Sequence, residues 1–67
     1  MKSLSVIIPA LNEERYIGDT LRRLAEAVRH LQSSHPCPVQ VIVVDNASED
    51  QTAMVARGLG AIVLPEP

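Results

Sequence analysis

Three short runs of mainly β-branched and other apolar residues, separated by longer segments with helical spacing, restrict the fold of this 67-residue chain more than any other feature. The runs are Leu4 to Ile8, Val39 to Val44 and Ala61 to Leu64. Continuous apolar runs of this length are typical of strands covered on both faces of a parallel sheet. The predicted element order is therefore βαβαβ, with right-handed crossovers between parallel strands.

The first predicted helix follows Pro9, which lacks a backbone donor and is expected to end the first strand. Asn12 is predicted to be the helix N-cap, with Glu13 and Glu14 in the first turn, where the helix dipole favours carboxylates. Gly18 lies inside this helix at a cost of about 1 kcal/mol relative to alanine, which indicates close packing on the sheet. Apolar residues at helical spacing predict one buried stripe: Ile17, Leu21, Leu24, Ala25, Val28 and Leu31.

The second predicted helix follows the run that ends at Val44. Ser48 and Gln51 have the spacing of a capping box, and the two acidic residues between them suit the first turn of a helix. We expect this helix to run to about Gly58, with Gly58 or Gly60 as a left-handed stop. The whole pattern predicts an α/β fold, the Rossmann-like half of a doubly wound parallel sheet.

Composition excludes several classes of function. The net charge of −2, with six scattered Lys and Arg residues, argues against a nucleic-acid partner. No apolar run approaches the roughly 18 residues of a membrane span, so we expect no membrane segment in this chain. The single cysteine, Cys37, provides no disulfide framework, and neither His30 nor His35 has a second ligand at metal spacing. We expect a cytoplasmic location, with membrane association of the full-length protein left open, and no metal ligands in this chain.

Two polar segments follow the first two predicted strands: PALNEE and DNASED. Ligands of open parallel sheets bind in the crevice outside the carboxyl ends of the strands. Both segments lack glycine and carry acids at the helix starts, which disfavours close approach of a diphosphate to the main chain. The crevice should instead suit a flat base and ribose hydroxyls, because it combines an apolar shelf with hydrogen-bonding groups: Pro9, Ala10, Leu11, Glu13, Asp45 and Asn46.

At these residues the sequence resembles the N-terminal part of a family 2 type glycosyltransferase with the A-type nucleotide-sugar fold (GT-A). The resemblance rests on SVIIPALNEERYI and VIVVDNASEDQT at their observed separation. It implies that residues 1–67 form the N-terminal nucleotide-binding half of a larger domain. The full enzyme would transfer a sugar from a UDP- or GDP-type nucleoside diphosphate to an acceptor hydroxyl. PALNE also resembles the opening of retaining enzymes that make glucosyl-phosphoglycerate, so both stereochemical courses stay open.

The resemblance assigns roles to the crevice residues. The PALNE residues Pro9, Ala10, Leu11 and Glu13 would contact the base and the ribose. Asp45 would accept a hydrogen bond from the base, with Asn46 adjacent. Leu11 stands where many members carry an aromatic residue, so stacking on the base should be weaker here. Asn46 and Ala47 replace the commoner Asp-Gly, and both replacements look tolerable.

The resemblance places the rest of the machinery beyond Pro67. The D-x-D motif that binds Mg²⁺ or Mn²⁺ on the diphosphate should follow a fourth strand, and the catalytic base should lie further on. We therefore expect no catalytic residue in this chain and no turnover by it alone. Three parallel strands also leave at least one long apolar edge unpaired, so either the chain is part of a larger domain or other copies complete it.

Three other functions compete with this interpretation. A dinucleotide-dependent oxidoreductase would place an acid at the end of the second strand, as Asp45 is placed, but would need G-x-G-x-x-G after the first. A nucleotidyltransferase of this shape would usually carry a glycine-rich, basic first loop. The third possibility is a non-catalytic, truncated α/β module that self-associates as a homo-oligomer through its exposed sheet edge.

Overall fold

The computed structural model describes residues 3–67 and confirms the predicted element order. The strands are β1 (Leu4–Ala10), β2 (Val39–Asp45) and β3 (Ile62–Pro65), and the helices are α1 (Ile17–Ser34) and α2 (Thr52–Gly58). Each helix connects two consecutive strands. The chain is thus a βαβαβ unit.

The three strands form one parallel sheet in the order β1-β2-β3. The register between β1 and β2 runs from Leu4 opposite Val39 to Ala10 opposite Asp45. The third strand pairs with the second half of β2, so that Asp45 also lies opposite Pro65. The carboxyl ends of all three strands therefore meet at one rim of the sheet, with Asp45 at its centre.

The packed core lies on one face of the sheet, where both helices sit. Its fully or nearly fully buried members come from four elements: Ala10, Ile17, Leu21, Val43 and Ala56. Alternate residues of the strands surround them, as the period of two in a strand requires. These partly buried neighbours, together with two helical residues, are Ile8, Leu24, Val41, Val55, Ala61 and Val63. The core thus follows from the alternation of strand residues and the helical stripe together.

The opposite face of the sheet is open among residues 3–67. Ile7 is 64% exposed, Ile62 is 43% exposed and Leu64 is 49% exposed. The prediction that the strands are covered on both faces is therefore wrong for the part of the chain that the structure describes. In a 1-2-3 sheet, two right-handed crossovers place both helices on the same face, which accounts for the difference. Among residues 3–67, β1 and β3 are the edge strands of this sheet.

The first strand does not end at Pro9, contrary to the sequence prediction. It continues to Ala10, with Pro9 opposite Val44. The backbone N–H of Asn46 donates to the carbonyl oxygen of Ala10 at 2.8 Å, so the polar backbone groups of Ala10 face β2. Those of Pro9 then face the free edge, because successive residues of a strand alternate. At an edge the missing N–H of proline removes no ladder hydrogen bond.

Two glycines shape the helices. Gly60, with φ of 89°, ends α2 as a left-handed residue, which confirms one of the two predicted stops. The hydrogen bonds Gly60 N–H to Arg57 O (3.0 Å) and Ala61 N–H to Ala56 O (3.1 Å) form a Schellman motif. Gly18 lies under α2: a Cβ atom there would be 3.5 Å from Val55 Cγ1. The predicted close packing at Gly18 therefore involves the other helix.

Within residues 3–67, no helix is both long enough and apolar enough to cross a lipid bilayer. α1 is the longest described helix, at 18 residues.

Candidate functional site

The candidate site lies at the rim where the three strands end. Ala10 and Asp45 are register partners there, and the Asn46 N–H to Ala10 O bond extends the pairing by one step. From the other side, the backbone N–H of Glu66 donates to the carbonyl oxygen of Asp45 at 2.8 Å. The end of β2 is consequently held from both sides, because Asn46 bonds to the end of β1 and Asp45 accepts from Glu66, just beyond β3.

Asp45 is a buried acid, only 9% exposed, at the centre of this rim. Its Oδ1 accepts a hydrogen bond from the backbone N–H of Ser48 at 3.2 Å. This bond closes a turn of the kind that aspartate side chains favour. Ala47 lies inside the turn with φ of 61°, a conformation that costs a non-glycine residue about 1–2 kcal/mol. That requirement gives a physical reason for the glycine that commonly stands at this position in the motif.

The two loops that follow β1 and β2 are joined by reciprocal hydrogen bonds. The backbone N–H of Asn12 donates to Ser48 Oγ at 2.9 Å. In return, the backbone N–H of Glu49 donates to Asn12 Oδ1 at 2.8 Å. Asn12 has φ of 51°, which asparagine tolerates better than most residues. Each loop therefore satisfies a backbone donor of the other.

A second pair of hydrogen bonds joins the first loop to the second loop and to the first residue of α2. The backbone N–H of Glu13 donates to Thr52 Oγ1 at 2.8 Å, and that of Glu14 donates to Asp50 Oδ2 at 3.2 Å. Thr52 is fully buried, and its hydroxyl donates in turn to Asp50 Oδ1. The carbonyl oxygen of Glu13 accepts from the N–H of Ile17 at 2.8 Å, so these donors open the turn that leads into α1.

The pKa of the Asp50 carboxyl is lowered from its ordinary value. The largest cause is the hydrogen bond from the Thr52 hydroxyl, and backbone N–H groups, including those of Thr52 and Glu14, add to it. Partial desolvation opposes the shift without reversing it. Asp50 is therefore held as a carboxylate, the form that can accept several hydrogen bonds at once.

The predicted helix caps are wrong. α1 begins at Ile17 after Tyr16, and α2 begins at Thr52 after Gln51, and neither of these flanking residues makes a side-chain capping bond. The acidic pairs of both loops therefore precede the helices. Asn12 and Ser48 bond to the opposite loop instead of capping their own helices, because the two loops lie side by side at the rim.

The structure brings some of the predicted site residues together and leaves others apart. Ala10 and Asp45 are buried neighbours, Pro9 lies opposite Val44, and Glu13 is tied through its backbone to the second loop. Leu11 is 54% exposed, and Asn46 is also exposed. The binding roles of these six residues remain predictions.

Sequence reasoning missed the tertiary role of four residues: Asn12, Ser48, Asp50 and Thr52. The signal that could have revealed it is an excess of capping-type residues. DNASEDQT alone offers more side-chain acceptors than one helix start needs.

A cavity of about 140 Å³ lies at the other end of the sheet and differs from the rim in chemistry. Its lining is apolar in side chains: Leu21, Ala25, Val39, Val41, Leu59, Gly60 and Ala61. It contains no polar side chain to orient a ligand.

Among residues 3–67 there is also no group of three or more His, Cys, Asp or Glu residues placed to hold a metal ion.

The sequence of this chain matches the model of a known enzyme family. The model of the family described as glycosyl transferase family 2 matches residues 5–67. This chain belongs to glycosyl transferase family 2. The predicted family is thereby confirmed, and the oxidoreductase and nucleotidyltransferase alternatives lose their support.

Similar proteins include 4,4'-diaponeurosporenoate glycosyltransferases of Staphylococcus aureus. The protein of strain bovine RF122 / ET3-1 is 44% identical over 63 residues, which are 94% of this chain and 15% of that protein. The protein of strain USA300 is 43% identical, with the same coverage. The chain thus spans about 15% of the length of these curated relatives.

The fold is shared with a solved glycosyltransferase-fold protein. Mannosyl-3-phosphoglycerate synthase from Rubrobacter xylanophilus superposes with a TM-score of 0.64 and 33% identity. The match covers 94% of this chain and 19% of that one. The three parallel strands in the order 1-2-3 correspond to the N-terminal half of the GT-A fold, as the sequence predicted.

Proposed function

We propose that this chain binds the nucleoside part of a nucleotide-sugar donor of the UDP or GDP type. The whole family 2 enzyme would transfer the sugar of that donor to an acceptor hydroxyl. The observation that carries the proposal is the pairing of Ala10 with Asp45 at the carboxyl ends of adjacent parallel strands, which is where open α/β sheets bind ligands. Family membership supports the donor class.

The hydrogen bonding of the rim favours a nucleoside over its phosphates. A phosphate site at a helix start needs free backbone N–H groups. Here the N–H groups of Glu13 and Glu14 already donate to Thr52 and Asp50. The same loops carry several carboxylates and no glycine, so a diphosphate would meet like charge and little free main chain.

Each proposed site residue has a role suited to its position. Pro9 and Leu11 offer exposed apolar surface as a shelf for the base, and the buried Ala10 between them supports it. Glu13 accepts ribose hydroxyls, while Asp45 accepts an N–H of the base beside the Asn46 amide. Asp45 is suited to this role because Ser48 engages only its Oδ1 atom, and a largely buried carboxylate is a strong acceptor.

The chain should not turn over alone. We propose that Mg²⁺ or Mn²⁺, which would neutralise the diphosphate of the donor, takes its ligands outside this chain, as does the catalytic base. We also propose a cytoplasmic location, which the single cysteine favours.

Titration of the chain with uridine, guanosine and their diphosphates tests the proposal, with ¹⁵N chemical shifts as the readout. Asp45→Asn keeps an oxygen for the Ser48 N–H but removes the charge. A hydrogen bond to a charged group contributes about 1.5–3 kcal/mol, so the variant should bind about 10- to 100-fold more weakly. Asp19 has an exposed side chain on α1, so Asp19→Asn makes the same charge change away from the rim and should bind like the parent. Equal affinity of the two variants would contradict the role of Asp45.

The same titration separates nucleoside from phosphate recognition. Without a divalent cation, uridine and UDP should bind with similar affinity, and Mn²⁺ should not change this. UDP binding more than tenfold tighter than uridine would show that the chain recognises phosphate, contrary to the proposal.

A second candidate, a self-associating module, is favoured by one observation. β1 is an edge strand among the described residues, and its Ile7 is 64% exposed on the open face. Unpaired strand edges and exposed apolar patches favour association. Sedimentation velocity should then show a concentration-dependent oligomer that Ile7→Lys dissociates, while Gln40→Lys on the same face of the central strand tests for a general charge effect. A monomer at all concentrations would exclude this candidate.

A further inference from the structure

We propose that the hydrogen bonds between the two loops position the nucleoside pocket, so that four side chains act as positioning residues: Asn12, Ser48, Asp50 and Thr52. We call the set of four bonds the loop clamp: Asn12 N–H to Ser48 Oγ, Glu49 N–H to Asn12 Oδ1, Glu13 N–H to Thr52 Oγ1 and Glu14 N–H to Asp50 Oδ2. The inference rests on the proposed function, because it concerns the same pocket. It adds residues that contact neither base nor ribose but set the separation of those that do.

The loop clamp acts on three consecutive backbone groups. The N–H groups of Asn12, Glu13 and Glu14 all donate to the second loop, across 36 to 39 residues of sequence. The bond from Glu49 N–H to Asn12 Oδ1 runs the opposite way. Because adjacent donors are all engaged, the path of the first loop is fixed residue by residue.

The loop clamp also reaches the two sides of the pocket. Leu11 directly precedes Asn12, so the shelf is covalently attached to a clamped residue. On the other side, Ser48 bonds to Asp45 through its N–H and to Asn12 through its hydroxyl. One serine thus connects the proposed base acceptor to the loop that carries the shelf.

Ordinary capping does not account for this arrangement. An Asn or Ser beside its own helix would satisfy a backbone donor equally well, with no coupling between loops. Here Thr52 is fully buried while its hydroxyl accepts from Glu13 and donates to Asp50. Both hydrogen bonds of the Thr52 hydroxyl are therefore made at the junction of the two loops.

Two matched pairs of variants test the inference. Thr52→Val removes the hydroxyl at nearly constant shape, and Thr52→Ser restores it. Asn12→Gly keeps the positive φ and removes the acceptor, and Asn12→Asp restores the acceptor at an exposed position where folding is not at risk. Loss of one bond should weaken uridine binding about fivefold, the equivalent of about 1 kcal/mol, and each conservative variant should regain most of it.

Amide hydrogen exchange without ligand supplies an independent readout. Thr52→Val should speed exchange at Glu13, and Asn12→Gly should speed it at Glu49, while the strand amides of β2 keep their protection. Measurement at 150 mM salt screens the charge that Asn12→Asp adds. Should Thr52→Val fail to fold, the Asn12 pair carries the test.

The outcomes separate the inference from the function on which it rests. If the parent chain binds no nucleoside, the proposed function fails and positioning falls with it. If the parent binds but the clamp-deleted variants bind equally well despite faster exchange, positioning alone is overturned. Weaker binding restored by Thr52→Ser or Asn12→Asp supports it.

Discussion

Replacing Val43 with alanine tests whether one face of the sheet carries the packed core. Val43 lies within the central strand and has no exposed surface. Its core cluster includes Ile17 and Leu21 from α1 and Ala56 from α2. The substitution leaves the backbone pairing of β2 intact and removes two methyl groups from the point where both helices meet the sheet.

The expected loss follows from the burial. Two buried methyl groups contribute about 1.6 kcal/mol in transfer free energy, at about 0.8 kcal/mol each. The residual cavity raises the cost to about 2–3 kcal/mol, since neighbours in a packed core relax only partly. A single core in a chain of this size supplies roughly 3–5 kcal/mol. Val43→Ala should therefore remove about half of the free energy of unfolding.

Val44→Ala is the matched control. It deletes the same atoms from the next residue, whose side chain lies on the open face and is half-buried. Its cost should be about 1 kcal/mol or less. Urea unfolding followed by circular dichroism, with m near 1 kcal/mol/M, should show a midpoint shift of about 2 M for Val43→Ala and at most about half of that for Val44→Ala. Equal shifts would refute the assignment of the two faces.

Three further predictions concern the helices and the loop clamp. Gly18→Ala should stabilise the chain by up to about 1 kcal/mol, because a Cβ there meets its neighbours at ordinary contact distance; thermal unfolding that shows a loss would contradict this. Gly60→Ala should cost about 1 kcal/mol through its positive φ alone, whereas Gly58→Ala, with equal free space and no positive φ, should be neutral or stabilising in the same unfolding experiment. The pKa of Asp50 in the folded state is lowered, chiefly by the hydrogen bond from Thr52, so the contribution of its charge to the free energy of unfolding is complete above about pH 4 and is lost as the pH falls through the folded pKa. When the pH is lowered to 3, the urea midpoint of Asp50→Asn should therefore drop less than that of the parent. Parallel pH dependence of the two midpoints would contradict this.

Element positions could be predicted because they depend on periodicity and on single residues with strong backbone preferences. The run Val39 to Val44 is β-branched at most positions and became β2 with one added residue, Asp45. Gly60 was predictable as a stop because few other residues adopt its φ. Asp45 could be predicted as a rim residue from its position, since an acid that directly follows an apolar strand must lie at the rim.

Properties that depend on neighbours in space could not be predicted in this way. The continuation of β1 through Pro9 depends on which strand lies beside it, and only the sheet order reveals that its backbone faces a free edge. Gly18 was correctly associated with close packing, but the sequence could not tell a helix partner from a sheet partner. The open face likewise follows from the strand order 1-2-3.

The hydrogen bonds between the two loops show why the sequence pattern of a helix cap is ambiguous at the rim. A Ser, Asn, Asp or Thr ahead of a helix can accept from a backbone N–H of its own segment or of a neighbouring segment, and the sequence does not specify which. Two parallel strands bring the two following loops together, so hydrogen bonds between the loops replace local caps and couple the loops. Burial distinguishes the two cases, because a hydroxyl that caps only its own helix can stay at the surface. Thr52 is fully buried, and its hydroxyl must therefore find both a donor and an acceptor inside the fold, which only the adjacent loop and Asp50 together provide.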